Sequence, residues 1–187
     1  MRGKGNRVTD ETNGDDLVSV LIESERGVIE VAVDSVRAPV TAANFLRYVD
    51  GGYYDDGQFH RTVTMENQPD NAVRIEVIQA GINPRRVEER FGPIPLERTT
   101  LTGLSHGDGA ISMARSTPDS AVSDFFICIG DQPSLDFGGA RNPDGQGFAA
   151  FGHVIRGMGI VRAIQTAPAE GQKLTPPVRI LRARRSP

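Results

Sequence analysis

Phe59-His60-Arg61 is followed along the chain by Ile78-Gln79-Ala80-Gly81, Ile111-Ser112-Met113-Ala114 and Ser123-Asp124-Phe125-Phe126-Ile127-Cys128. Each is a short β-like run, and together they place one arginine, one amide and several apolar side chains where strands can gather them. Such a set makes a shallow pocket with a single strong cationic donor, suited to an uncharged and partly apolar ligand.

Working outward, the chain has 187 residues, the size of one domain able to bury a continuous core without disulfides or metals. Charged residues make up 24% and the formal net charge is −3. No overall positive field exists to hold a polyanion, so nucleic acid is not an expected partner. The basic run Arg179, Arg182, Arg184 and Arg185 reads as a solvated strand face and tail. The one cysteine, Cys128, excludes an internal disulfide and sits in an apolar strand as a small hydrophobe. No apolar stretch approaches the roughly 18 residues that span a bilayer, and Met1-Arg2-Gly3-Lys4-Gly5 leads into no signal core. A cytoplasmic location is expected, or a periplasmic one if a signal peptide has been removed.

Residues 1–16 are polar, with almost nothing to bury, and are expected to form a flexible extension to a domain over residues 17–187. Leu17 to Ile22 and Val28 to Val33, joined through Ser24-Glu25-Arg26-Gly27, read as a β-hairpin. Pro39 opens a helix over residues 39–50, with Ala42, Phe45, Leu46 and Val49 on one face and Gly51-Gly52 at its end. A second helix is expected at 157–165, where Met158, Val161 and Ile164 recur before Pro168. Further strands are expected over 58–63, 74–79, 110–114, 125–130, 149–155 and 178–183. About eight strands with two helices favour an antiparallel barrel or sandwich over a βαβ fold. Two polar loops, 65–73 and 137–147, either border a site or are surface connections.

In order and approximate spacing, Phe59-His60-Arg61, Val77-Ile78-Gln79-Ala80-Gly81, Ile111-Ser112-Met113-Ala114, Phe125-Phe126-Ile127, Leu135-Asp136 and Phe151-Gly152-His153-Val154 resemble the cyclophilin-type peptidyl-prolyl cis–trans isomerases. The resemblance spans residues 17–184. It implies a mainly β fold, a closed eight-stranded antiparallel β-barrel capped by two α-helices, with the substrate groove on the outside of the wall. It implies Arg61 as catalytic arginine, Gln79 as groove amide, Ala114 as the residue whose backbone pairs with substrate, and Phe59, Met113, Phe126 and Leu135 as the proline pocket. His60, Val77, Arg115, Asp124 and Phe148 complete the implied substrate-binding set, with His60 orienting strand hydrogen bonds rather than moving protons.

The departures are specific. Glu76 stands where the family usually has an aromatic, Val77 where methionine is common, Arg115 for asparagine and Asp124 for glutamine. Ser134 replaces the tryptophan of drug-sensitive members, and Phe148 falls at the pocket histidine if 137–147 is an insertion. Asp124 has three possible partners: Arg61, Arg115 or solvent.

The activity implied is isomerisation of Xaa-Pro bonds in peptides and folding proteins by a monomer without cofactors. The alternative is a non-catalytic module that binds proline-containing segments. Three histidines, His60, His106 and His153, show no metal-ligand spacing. Ser105, His106 and Asp108 lie too close in sequence to align as a triad, and 103–109 reads as a tight loop. No Gly-Lys-Ser/Thr phosphate cradle is present.

Overall fold

The computed structural model describes residues 17–187; the flexible extension expected over residues 1–16 lies outside the described residues. Strands β1 (Leu17–Ser24) and β2 (Gly27–Asp34) form the expected hairpin, paired along their whole length from Leu17↔Asp34 to Ser24↔Gly27. Strands β3 (Gln58–Val63), β4 (Val77–Gly81), β5 (Ala110–Met113), β6 (Phe125–Cys128) and β7 (Ala149–Arg156) follow. A two-residue β8 (Ala169–Glu170) turns into the long β9 (Lys173–Arg185).

All pairings are antiparallel, in the order β1-β2-β7-β5-β6-β4-β3-β9, and β9 returns to pair with β1. The result is the closed eight-stranded barrel, with β8 hairpinned onto the start of β9 outside the ring. Closure leaves no free edge among those eight strands.

Among the described residues three α-helices accompany the barrel, α1 (Pro39–Asp50), a short α2 (Thr99–Thr102) and α3 (Met158–Gln165). The two longer ones match the expected positions. Helix α1 packs on β2, β7 and β9, and α3 on β2, β3 and β4. Proline at its first position costs α1 no hydrogen bond, and a distant carboxylate completes the cap. Glu97 accepts from the Val40 and Thr41 amides at 3.0 and 2.7 Å and from the Thr41 hydroxyl at 2.6 Å.

Inward-facing residues from all eight of its strands fill the barrel. Phe45 of α1 enters it and meets Tyr54, Phe125 and Phe151 at ring separations of 5.5, 5.5 and 5.1 Å. A smaller cluster lies apart from this core: Val63, Ile75, Val77, Ala110, Phe126, Cys128 and Leu135, with Ala114 and Phe148 against it. Phe125 and Phe126 therefore belong to different clusters, as the two-residue period of a strand requires. Cys128 is fully buried, and desolvation pushes its thiol pKa up.

Several boundaries differ from the sequence reading. The strand expected over 74–79 begins only at Val77 and runs to Gly81. The strand expected over 178–183 is thirteen residues long. Its proline pair, Pro176-Pro177, lies where pairing with β3 is interrupted, between Arg61↔Lys173 and Phe59↔Val178, so the missing amide hydrogens break no ladder there.

Candidate functional site

A cleft of about 580 Å³ runs over the outer face of β3, β4 and β6. It brings together Arg61, Val77, Gln79, Ala114, Arg115, Asp124, Phe126, Leu135 and Phe148 of the expected set. The smaller apolar cluster forms its floor, because Phe126 and Leu135 point outward onto Val77 and Phe148. The Phe126 and Phe148 rings meet edge to face at 5.5 Å. Ile75 also lines the cleft, adding apolar wall where Glu76 leaves the expected aromatic missing. Glu76 itself turns away and accepts from Gln165 Nε2 at 3.1 Å.

Two residues assigned to the proline pocket lie elsewhere. Phe59 and Met113 are wholly within the barrel core, and the Phe59 ring sits 6.2 Å from that of Phe125. Strand alternation explains this correction, since each immediately precedes a residue placed on the outer face. His60 is also outside the main cleft. It borders an adjoining depression with Asp124, Gly81 and Pro84.

The register of β3 shifts between Phe59 and Arg61 against both β4 and β9. A bulge of this kind interrupts alternation, so His60 and Arg61 both reach the outer surface. Arg61 is then held at both ends of its guanidinium. Nη1 donates to Gln79 Oε1 at 3.0 Å, while Nε and Nη2 donate to Gln172 Oε1 at 2.9 and 2.6 Å. Burial lowers the Arg61 pKa from its ordinary value, and a guanidinium keeps its charge in proteins. A guanidinium has five N–H donors, so these three bonds leave two for a ligand.

Gln172 lies in the β8–β9 turn, 111 residues from Arg61. Its Nε2 donates to the Asn67 carbonyl at 3.1 Å, and its own carbonyl accepts from the Thr62 amide at 2.9 Å. No sequence motif signals it. Only the β3–β9 register brings the turn to Arg61.

Asp124 pairs with neither arginine. Its Oδ2 lies 3.1 Å from His60 Nε2 and accepts from Gln79 Nε2 at 3.2 Å. Gln79 thus points its oxygen at Arg61 and its amide N–H at Asp124, which fixes its orientation. Asp124 fits there because residue 81 is glycine: a Cβ would lie 2.7 Å from Asp124 Oδ1. Behind it, the Tyr54 hydroxyl donates to the Ser123 carbonyl at 2.6 Å and Asn44 Nδ2 to the Val122 carbonyl at 2.7 Å. Burial raises the Tyr54 pKa well above its usual range, which keeps that donor protonated.

Arg115 is tied to the loop 137–147. Nε donates to the Gly147 carbonyl at 2.8 Å, and the two terminal nitrogens grip Asp144 at 2.8 and 2.9 Å. That bidentate bond holds the Asp144 carboxyl below its usual range. The loop 137–147 borders the cleft through Arg141 and Asn142, whereas no residue of 65–73 lines it. Arg141 of 137–147 reaches across to Gln68 Oε1 at 2.9 Å and the Val73 carbonyl at 2.7 Å.

Beneath Phe126 the buried His106 stacks at 6.0 Å and 15°. Its Nδ1 lies 2.6 Å from Asp136 Oδ1 and its Nε2 2.9 Å from the Ser112 hydroxyl. His106 therefore does join a serine and an aspartate, though different ones from its sequence neighbours. Ser112 is completely buried, so the array supports the pocket floor and offers no nucleophile to a ligand. Among the described residues no group of three or more His, Cys, Asp or Glu could hold a metal ion.

The family model for cyclophilin type peptidyl-prolyl cis-trans isomerase/CLD matches residues 18–185. Peptidyl-prolyl cis-trans isomerase A of Dickeya dadantii is 34% identical over 152 residues, covering 81% of this chain and 73% of its own. Peptidyl-prolyl cis-trans isomerase B of Escherichia coli is 30% identical over 147 residues, covering 78% and 83%. A crystal structure of a Cryptosporidium parvum cyclophilin type peptidyl-prolyl cis-trans isomerase, obtained in the presence of the dipeptide Ala-Pro, superposes with a TM-score of 0.71. It is 21% identical and covers 90% of this chain and 99% of its own, a likeness that speaks for the fold. On the family model and these relatives together, the chain belongs to the cyclophilin-type peptidyl-prolyl cis–trans isomerases.

Proposed function

We propose that this protein accelerates rotation about Xaa-Pro bonds with Arg61 as the group that stabilises the twisted amide. The observation carrying this reading is the guanidinium clamped between Gln79 and Gln172 beside an apolar floor. Its family acts on proline-containing peptides and proteins.

Rotation crosses a barrier of roughly 18–20 kcal/mol because amide resonance is lost. As it is lost the proline nitrogen pyramidalises and gains a lone pair. A fixed donor at that nitrogen binds the twisted state better than either planar isomer, which is the condition for lowering the barrier. Phe126, Leu135 and Phe148 hold the proline ring, Val77 closes the wall, and the backbone at Ala114 anchors the preceding segment. No bond to the protein forms, and no cofactor is needed. The protein is proposed to work as a cytoplasmic monomer formed by residues 17–187, on folding polypeptides rather than nucleic acid or membranes. No helix among the described residues is long and apolar enough to cross a membrane.

The test is the cis-to-trans rate of a short Xaa-Pro-Phe peptide, read by exchange NMR. Arg61→Ala should lose about 10²- to 10³-fold in kcat/KM, the scale of removing one donor aimed at developing charge, with its folded spectrum unchanged. Parental turnover in that variant would refute the assignment.

A further inference from the structure

The cleft carries an excess of positive charge in a chain whose net charge is −3. Four arginines line it, Arg61, Arg90, Arg115 and Arg141, against one carboxylate, Asp124. Arg115 is neutralised by Asp144. The other three have only neutral acceptors among the described residues: Arg61 the two glutamines, Arg90 the Val87 carbonyl at 2.8 Å, and Arg141 Gln68 and the Val73 carbonyl. Asp124 is already engaged by His60 and Gln79. The cleft therefore holds three guanidinium charges with no carboxylate in salt-bridge contact, and the single charge of Asp124 leaves a positive balance.

Arg141 is placed there by a loop held by its own backbone hydrogen bonds. Its backbone N–H donates to the Ser134 carbonyl at 3.1 Å, and the loop closes on itself through Gly138 N–H to the Gly145 carbonyl at 2.8 Å. Gly139 is required, because a Cβ there would overlap the Ser134 carbonyl; at Gly147 a Cβ would lie 2.6 Å from the Phe137 nitrogen. At its far end Arg141 is received by Gln68, which is buried and itself bonded to the Thr64 and Ile75 carbonyls at 2.6 and 2.8 Å. Arg141 and Arg61 line the same cleft, and partial burial, with a smaller contribution from the Arg61 charge, lowers the Arg141 pKa. Positive charges held together at a ligand cleft are relieved by an anion between them.

We infer that the cleft selects proline segments carrying an acidic side chain beside the proline, with Arg141 as the residue that sets this preference. The inference rests on the isomerase reading and adds the substrate class to it. Rotation itself needs only one donor. A further cation built onto a two-loop brace recognises what flanks the proline, and it does so through charge, which acts at longer range than the apolar pocket.

The experiment uses two peptide sets, Xaa-Pro-Phe and Ala-Pro-Yaa, with Glu, Gln or Lys at the varied position. Exchange rates and shift titrations are measured together at about 20 mM and about 500 mM salt. Glu should exceed Lys about tenfold in kcat/KM or affinity in at least one set at low salt, and the ratio should fall severalfold at high salt as screening shortens to a few ångströms. In Arg141→Gln the ratio should collapse towards one, and in Arg141→Lys it should survive in part. Equal handling of Glu, Gln and Lys overturns the inference while leaving the isomerase standing. A complete lack of acceleration refutes the isomerase reading instead, and the affinity ratio then decides the preference by itself. A ratio unchanged in a folded Arg141→Gln overturns the role of Arg141. If that variant does not fold, Arg141→Lys and the salt dependence of the parent decide.

Discussion

At the residue scale the site depends on Gln172 as a positioning residue. It touches Arg61 through one oxygen that receives two donors, and so fixes the plane of the guanidinium. Gln172→Ala should lower kcat about tenfold, roughly 1.4 kcal/mol, with KM and melting temperature little changed. Gln172→Glu preserves the shape and strengthens the bond, yet it places a negative charge against Arg61 and draws the donor from the substrate. It should therefore reduce kcat at least as much; because it also gives up the bond to the Asn67 carbonyl, its melting temperature is measured alongside, and a parental kcat in a folded Gln172→Glu would refute the positioning role. Arg61, Gln79, Phe126 and Leu135 were legible in the sequence because each sits in a short motif. Gln172 and Arg141 were not, because their placement comes from contacts 111 and 73 residues away. Phe59 and Met113 were misassigned by adjacency, where strand alternation turns neighbours to opposite faces.

At the element scale, the turn Pro133–Leu135, the segment before β5 and strand β5 itself are fastened behind the pocket by Asp136, His106 and Ser112. Burial works against ionisation of Asp136, and the hydrogen bonds from the His106 ring and backbone overcome it, leaving its carboxyl below the usual value. A carboxyl lowered on folding contributes stability that is complete above its unfolded pKa of about 3.9 and is lost as pH falls through its folded value. Asp136→Asn should therefore be less stable than the parent at pH 5, and the difference should shrink towards pH 2. Denaturant unfolding across that interval measures it; a constant difference would mean that the ionised form matters little. Sequence reading placed the barrel strands from short β-like runs and the two longer helices from their apolar faces. It missed α2, since four residues display no helical period, and it shortened β9, since Pro176-Pro177 reads as a break.

At the scale of the whole molecule, β9 joins the last residues of the described chain to the first. It pairs with β3 through Lys173, Val178 and Arg179 and with β1 through Ile180 to Arg185. The barrel cannot close until a segment about 160 residues from β1 arrives, and the outer face bearing Arg61, Gln79 and Asp124 depends on that closure to fix the β3–β9 register. Long-range pairing of this kind makes folding slow, and the buried side chains of the closing strand are where its contribution to stability is expected. Ile180 is fully buried, whereas its neighbour Leu181 is 44% exposed. Ile180→Ala should cost about 2–5 kcal/mol, the range for removing a buried aliphatic side chain, and Leu181→Ala under about 0.5 kcal/mol. Urea unfolding of the two variants checks both. Equal losses would mean that the inner face of β9 is not where closure draws its strength, and the dependence of the Arg61 clamp on this strand would then need another source.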